Sequence, residues 1–479
     1  MAKVELTTRR RNFIVAVMLI SAFVAILNQT LLNTALPSIM RELNINESTS
    51  QWLVTGFMLV NGVMIPLTAY LMDRIKTRPL YLAAMGTFLL GSIVAALAPN
   101  FGVLMLARVI QAMGAGVLMP LMQFTLFTLF SKEHRGFAMG LAGLVIQFAP
   151  AIGPTVTGLI IDQASWRVPF IIIVGIALVA FVFGLVSISS YNEVKYTKLD
   201  KRSVMYSTIG FGLMLYAFSS AGDLGFTSPI VIGALIISVI IYLFIRRQFN
   251  ITNALLNLRV FKNRTFALCT ISSMIIMMSM VGPALLIPLY VQNSLSLSAL
   301  LSGLVIMPGA IINGIMSVFT GKFYDKYGPR PLIYTGFTIL TITTIMLCFL
   351  HTDTSYTYLI VVYAIRMFSV SLLMMPINTT GINSLRNEEI SHGTAIMNFG
   401  RVMAGSLGTA LMVTLMSFGA KIFLSTSPSH LTATEIKQQS IAIGVDISFA
   451  FVAVLVMAAY VIALFIREPK EIESNRRKF

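Results

Sequence analysis

Three arginines, Arg108, Arg366 and Arg401, stand inside long apolar stretches in which no Asp or Glu falls near the middle. A charge in such a place is costly and is kept where it faces a protein interior or a water-filled path. Arginine does not release its proton at working pH, so the chemistry open to these three is to orient acceptors or to shift the protonation of a neighbour. The groups able to carry a proton stand toward the ends of the stretches: Asp73 and Asp325 on one side, Asp162, Asp223 and Asp446 on the other. Burial and nearby charge decide whether such a carboxyl holds or releases its proton. Arg108, Asp446, Asp73 and Asp325 are therefore the candidates for proton coupling. Asp446 is the most embedded of the acids, and a helix-end carboxylate wetted by headgroups is its plain alternative.

Amides accompany the arginines. Asn28, Gln29, Gln111, Gln147, Asn378 and Asn398, with Arg366 and Arg401, are the candidates for lining a cavity. Such a lining offers hydrogen bonds but no buried acid as counter-charge for a dication, which favours neutral solutes bearing amides or hydroxyls. Bridging between helices is the alternative for each amide taken singly. Asn398 and Arg401 are three residues apart and share a helix face.

Two loops repeat one another. Asp73-Arg74-Ile75-Lys76-Thr77-Arg78-Pro79-Leu80 and Asp325-Lys326-Tyr327-Gly328-Pro329-Arg330-Pro331-Leu332 place Asp, a base and Arg-Pro-Leu at matching offsets. Arg108 and Pro120 in one stretch, and Arg366 and Pro376 in another, extend the correspondence. Duplicated halves are a recurrent plan of membrane carriers. In that plan Asp73 lies where the stretch beginning near residue 395 starts, and a helix N-terminus favours a carboxylate. By the same symmetry Asp325 faces the start of the stretch near Gly136. Asp73, Arg74, Arg78, Asp325, Lys326 and Arg330 are the inner-gate candidates. Between them in sequence runs Ala149-Pro150-Ala151-Ile152-Gly153-Pro154-Thr155-Val156-Thr157-Gly158. Proline and glycine persist in a spanning helix where neighbours repair the freed carbonyls, so the run predicts a bent, closely packed helix beside a pathway, with Pro150, Gly153, Pro154 and Gly158 as its working residues.

The elements that must position these groups are helices in lipid. Of 479 residues, 57% are hydrophobic and 11% charged, with mean hydropathy +0.85. Soluble domains carry roughly 25% charged residues. Fourteen apolar stretches reach the roughly 20 residues a spanning helix needs, the first near 13–35 and the last near 443–466. The first is too long for a signal-peptide core and is kept as an uncleaved helix. The expected organisation is a six-helix bundle over 1–190, two inserted helices with cytoplasmic linkers over 191–264, a second six-helix bundle over 265–466, and a cytoplasmic tail over 467–479. The fold class is all-α and polytopic.

The net charge of +16 comes from 34 Lys and Arg against 18 Asp and Glu. With both termini in the cytoplasm, most of the bases fall in cytoplasmic segments, and only Arg41, Arg167, Lys421 and Lys437 fall outside. That asymmetry sets orientation by the positive-inside rule. The clusters at 195–202, 246–264 and Arg476-Arg477-Lys478 then read as topology signals near anionic lipid rather than as a nucleic-acid surface. Cys269 and Cys348 sit alone, and His134, His351, His392 and His430 are widely separated, so no disulfide framework and no metal site is expected. No phosphate-binding loop, nucleophile elbow or dinucleotide fingerprint is present. No catalytic residue and no cofactor are expected, and the energy must come from a gradient or a partner.

The residues resemble the major facilitator superfamily, specifically its 14-helix drug:proton antiporter family, nearly from end to end. Asp73 to Arg78 and Gly321 to Arg330 resemble its inner-gate loop motif. Arg108-Val109-Ile110-Gln111-Ala112-Met113-Gly114 resembles its fourth-helix motif, Gly153 to Gly158 its antiporter motif, and Leu27 to Pro37 its first-helix signature. The nearest branch is that of the lincomycin-resistance exporters of Gram-positive bacteria. The resemblance implies two pseudo-symmetric six-helix bundles plus two inserted helices, and drug export across a plasma membrane coupled to protons, by a functional monomer. Three positions depart from the pattern: Ala69 and Lys76 stand for glycines, Thr157 stands for the penultimate Gly of the antiporter motif, and Asn28 stands where many relatives carry Asp. An amide does not titrate, so coupling through that position is lost. A gradient-driven importer and an uncoupled facilitator share the same fold and gate loops and remain alternatives.

Overall fold

The computed structural model describes residues 7–161, 164–190, 192, 194, 200–251, 254–426 and 432–467. Among them are fifteen α-helices and no strand: α1 Thr8–Leu43, α2 Glu47–Arg74, α3 Thr77–Ala96, α4 Phe101–Leu129, α5 Arg135–Ile161, α6 Arg167–Ser187, α7 Lys201–Leu224, α8 Pro229–Ser238, α9 Ile240–Asn250, α10 Arg264–Asn293, α11 Ala299–Tyr327, α12 Pro329–Met346, α13 Tyr356–Asn383, α14 Ile390–Thr426 and α15 Ala433–Ala463. Among the described residues, twelve segments are long and apolar enough to cross a membrane, with α8 and α9 counting as one. The expected stretch at 229–247 is thus two helices, broken at Val239 with neither Pro nor Gly there. The stretches at 137–161 and 332–350 correspond to α5 and α12, which are not among the twelve. Asp162, the tail beyond Arg467 and the cluster Arg476-Arg477-Lys478 lie outside the described residues, as does the side chain of Asp223.

Helix starts are written locally. Asn46, Asn100, Asn263, Ser298 and Thr432 each accept a hydrogen bond from the backbone N–H three residues on, satisfying one of the orphan donors of a helix N-terminus. Inside the helices, hydroxyls turn back on their own backbone. In α12, Thr335, Thr338, Thr343 and Thr344 donate to the carbonyls four residues earlier at 2.6–2.9 Å, which lets an apolar helix carry so many of them.

Packing divides the chain into two units. The first comprises residues up to 213 with 237–260 and 386–399; the second comprises 214–236, 261–385 and the chain from 400. The boundary therefore falls inside α7, α8 and α14. In the first unit, α3 and α4 touch backbone to backbone: a Cβ at Gly91 would lie 2.6 Å from Gln111 N, and one at Gly114 2.5 Å from Ala84 O. Small residues at an interface are how spanning helices gain van der Waals contact when lipid is as apolar as they are. Trp166 and Phe170 of the α6 start close one end of this unit edge-to-face against Leu32, Ala35, Leu53 and Leu104. In the second unit, Ala217 and Ala221 of α7, Val231 and Ala234 of α8 and Ala410 of α14 form a small-residue core, and Phe337 of α12 stacks on Tyr460 of α15.

Candidate functional site: gate loop and buried arginine networks

Asp73 occupies the last turn of α2. Its Oδ1 accepts from Ser391 Oγ at 2.7 Å, and its Oδ2 lies 3.1 Å from His392 Nε2. Both partners open α14, so a carboxylate meets a helix N-terminus, a hydroxyl and an imidazole together. His392 Nδ1 in turn accepts from the backbone N–H of Asn257 at 3.3 Å. With Nδ1 accepting, the neutral ring carries its proton on Nε2 and donates it to Asp73.

The adjacent turn is held by Asn192. Its Oδ1 accepts from Thr77 N at 2.7 Å and from Thr77 Oγ1 at 2.8 Å, while its Nδ2 donates to Met72 O at 2.8 Å and Ile75 O at 2.9 Å. Arg74 donates to Tyr70 OH at 2.6 Å, and Arg78 to Leu185 O at 2.8 Å.

The second copy of the loop is built differently. Gly328, which matches Lys76, has φ 83° and ψ 180° and both ends α11 and begins α12. That backbone region is open to glycine almost alone. Lys76 has φ −59° and ψ 145°, an ordinary extended conformation, so the first copy turns without a glycine. Asp325 is half-buried, Arg330 is exposed and Lys326 lies over the Tyr327 ring at 5.1 Å.

Arg108 is fully buried in α4. Its Nε donates to Leu53 O at 3.2 Å, its Nη1 to Gln111 Oε1 at 2.9 Å and to Asn28 O at 3.5 Å, and the guanidinium lies 4.1 Å from the Phe57 ring centroid. Gln111 Nε2 continues to Ser92 Oγ at 3.1 Å and to Asn28 Oδ1 at 3.4 Å. The charge is thus held by carbonyls, an amide and a ring face, with no carboxylate within ion-pair distance of it among the described residues. Arg108 Nη2 and Asn28 Nδ2 are buried donors without a partner.

The remaining candidates are distributed. In the first unit, Asn398 Nδ2 donates to Gln123 Oε1 at 2.8 Å and to Thr394 O at 2.9 Å; Gln29 and Gln147 are half-buried. In the second, Arg366 is fully buried and donates from Nη2 to Ser279 O at 2.6 Å, Asn378 accepts from Ser273 Oγ at 3.2 Å, and Arg401 is buried. Asp446 accepts from Leu350 N at 2.9 Å, which makes it an anchor for the α12–α13 turn.

Within the antiporter motif, Gly153 lies so close to α1 that a Cβ there would strike Thr30 Oγ1. Thr157 is buried and donates to Gly153 O at 2.7 Å, one turn back. Pro150 is exposed. The helix runs on through Pro154 and Gly158, whose packing lies outside the described residues. The motif therefore packs on the helix that carries Asn28.

Sequence reasoning missed Asn192 and His392. It also missed an ion pair at the start of α7: Asp200 accepts from Arg247 Nε at 2.5 Å and Nη2 at 2.9 Å, and from Ser203 Oγ at 2.5 Å. The hydrogen bond from Arg247 is the main reason its carboxyl is held down at about 2. The advance signals for the ion pair were the basic clusters at 195–202 and 246–264; Arg247 and the partners of Asn192 and His392 are far away in sequence.

Comparison with known proteins bears on the family. The Major Facilitator Superfamily profile matches residues 18–409. The uncharacterized MFS-type transporter YcnB of Bacillus subtilis is 41% identical over 461 residues, covering 96% of each chain. Lincomycin resistance protein LmrB of the same organism is 39% identical over 456 residues, covering 95% of each. The crystal structure of the human organic anion transporter MFSD10 (TETRAN) matches with a TM-score of 0.67 over 94% of this chain and 99% of that one, at 12% identity, a likeness of fold alone. The chain belongs to the Major Facilitator Superfamily, among its drug:proton antiporters and close in sequence to the lincomycin resistance proteins.

Proposed function

We propose that this protein is a multidrug efflux transporter of the bacterial plasma membrane, moving antibiotics by alternating access with proton antiport as the driving force. The observation that carries the reading is the Asp73 carboxylate at the end of α2, held by Ser391 and His392 at the start of α14 within a loop the chain repeats. Such a contact is a latch: one carboxylate joins two helix ends through a hydroxyl and an imidazole, and its parting frees them. In this scheme Asp73, Arg74 and Arg78 serve one inner gate, and Asp325, Lys326 and Arg330 the other. Fourteen crossings, bundles over 1–190 and 265–466, an inserted pair over 191–264 and cytoplasmic termini complete the proposed architecture. The protein would work as a monomer in contact with lipid, with the proton gradient in place of any cofactor.

The substrates we propose are neutral or weakly charged antibiotics of the lincosamide and phenicol kind. Support comes from the likeness to lincomycin resistance protein LmrB and from a buried polar set that holds hydroxyls, amides and arginines and, among the described residues, no Asp or Glu. Everted vesicles holding an imposed pH gradient, challenged with neutral, anionic and cationic drugs, test direction, coupling and class together. Release of the gradient by neutral drugs is expected; release by dications at least as efficient would reject the substrate class. A second reading, uncoupled facilitation, is favoured by one observation, the amide of Asn28 in the Arg108 network where a titrating group would sit. Drug efflux that never moves protons would select it.

A further inference from the structure

The N-terminal turns of α1 and the α4–α5 turn enclose a groove of about 500 Å³ that the transport reading does not use. Its walls are graded. Arg11 and His134 stand at one end, while Leu19, Phe137 and Leu141 line the other. On α1 the lining recurs at every fourth residue, 11, 15 and 19, so a single helix face runs from a cation to an aliphatic floor. Phe137 and Leu141 repeat that spacing on α5.

The cationic end is prepared for an anion. Arg11 lies 4.7 Å above the Phe130 ring, and both line the groove. Its Nε is buried without a hydrogen-bond partner. A second cavity, about 570 Å³, adjoins the first at Asn12 and Ala16 and adds Arg9 and Arg10. No Asp or Glu lines either cavity among the described residues. A fork of donors that remains charged suits a phosphate, and basic residues at the end of a spanning helix attract acidic headgroups.

We propose that this groove seats an anionic phospholipid, with its phosphate on the Arg11 guanidinium and an acyl chain along Leu19, Phe137 and Leu141. The ligand has to be amphiphilic because the walls are, and acidic because the polar end carries cations without a balancing carboxylate. The site would tie the start of α1, the helix that also carries Asn28, to the composition of the surrounding leaflet.

Native mass spectrometry of the purified full chain, exchanged into mixtures of phosphatidylglycerol and phosphatidylcholine with identical chains, tests the site. The wild type should retain phosphatidylglycerol preferentially. Arg11→Gln should weaken that preference by about fivefold, the share of one cation near a charged surface. Ala16→Phe, which fills the groove, should lower retention of both lipids, and Lys437→Gln, exposed in α15, should change nothing. If Arg11→Gln does not fold, His134→Gln and Ala16→Phe carry the test. Equal retention of the two lipids by the wild type, or wild-type retention in Arg11→Gln and Ala16→Phe alike, overturns the proposal. Displacement of the bound lipid by lincomycin, mole for mole, would also overturn it, by making the groove a drug port.

Discussion

Arg108 reaches Asn28 through the backbone carbonyl, at 3.5 Å, while the Asn28 side chain is engaged by Gln111 at 3.4 Å. The position where a carboxylate would face a buried guanidinium is filled by an amide that leaves the charge in place. Asn28→Asp supplies the missing acid within reach of Arg108. Drug-driven proton movement in everted vesicles is expected to rise severalfold, because the new carboxyl can titrate beside a fixed cation. Unaltered proton release per drug would mean that the coupling acid lies elsewhere.

Arg108→Lys is expected to be almost as damaging as Arg108→Ala. A lysine ammonium has no fork with which to hold Leu53 O, Asn28 O and Gln111 Oε1 at once. Each buried acceptor left unmatched costs about 1–3 kcal/mol, so efflux should fall tenfold or more. Fluorescent-drug efflux from whole cells at matched expression reads this directly, and a fully active Lys variant would contradict the network.

The two gate loops predict opposite responses to exchanging their turn residues. Gly328→Ala forces a side chain into a glycine-only region at a cost of order 1–3 kcal/mol, lowering thermal stability and transport. Lys76→Gly should bring no gain, since Lys76 is already unstrained. Asn192→Ala removes the four hydrogen bonds that Asn192 makes to the first loop and should impair transport more than Lys76→Gly. Melting curves of the three variants in detergent give the ranking.

At the antiporter motif, Gly153→Ala should abolish most transport because its Cβ collides with Thr30 Oγ1. Thr30→Ala opens that space, so the double variant should recover part of the loss. A double variant no better than Gly153→Ala would show that the glycine matters for a reason other than this contact.

Asp200 carries the pH prediction. Its folded carboxyl sits at about 2, below the ordinary value near 3.9, so the ion pair with Arg247 adds stability above pH ~4 and loses it as pH falls toward ~2. The melting temperature of Asp200→Asn should therefore be lower than the wild type's by a constant few degrees from pH 5 to 8. A gap that closes already near pH 6 would be inconsistent with that ion pair.

Much of this was legible before any coordinates. Apolar stretches marked the long helices, and the repeat placed Asp73 at the beginning of α14. The break at Val239 was not legible, because neither Val239 nor Ile240 differs in type from the apolar residues around them, and the single Ser238 beside them is common inside spanning helices. His392 was discounted because its partners, Asp73 and Asn257, lie far away in sequence, and histidine spacing reports only on metal sites. Asn192 was hidden for the same reason: an asparagine in a linker carries no mark of the turn it will bridge. Arg108 could be read as an orienter of amides, but the choice of the Asn28 carbonyl over its side chain depends on rotamers that no spacing encodes.

The bridge from Asn192 to the first loop also bears on how the protein is made. The loop around Lys76 emerges from the ribosome about 115 residues before the side chain that organises it, whereas the loop around Gly328 holds its own turn from the moment of synthesis. During insertion the first loop must wait, with Thr77 N and the carbonyls of Met72 and Ile75 satisfied by water, until α6 has been completed and residue 192 returns. Chains interrupted before that point would carry five or six finished helices and one unfinished hinge.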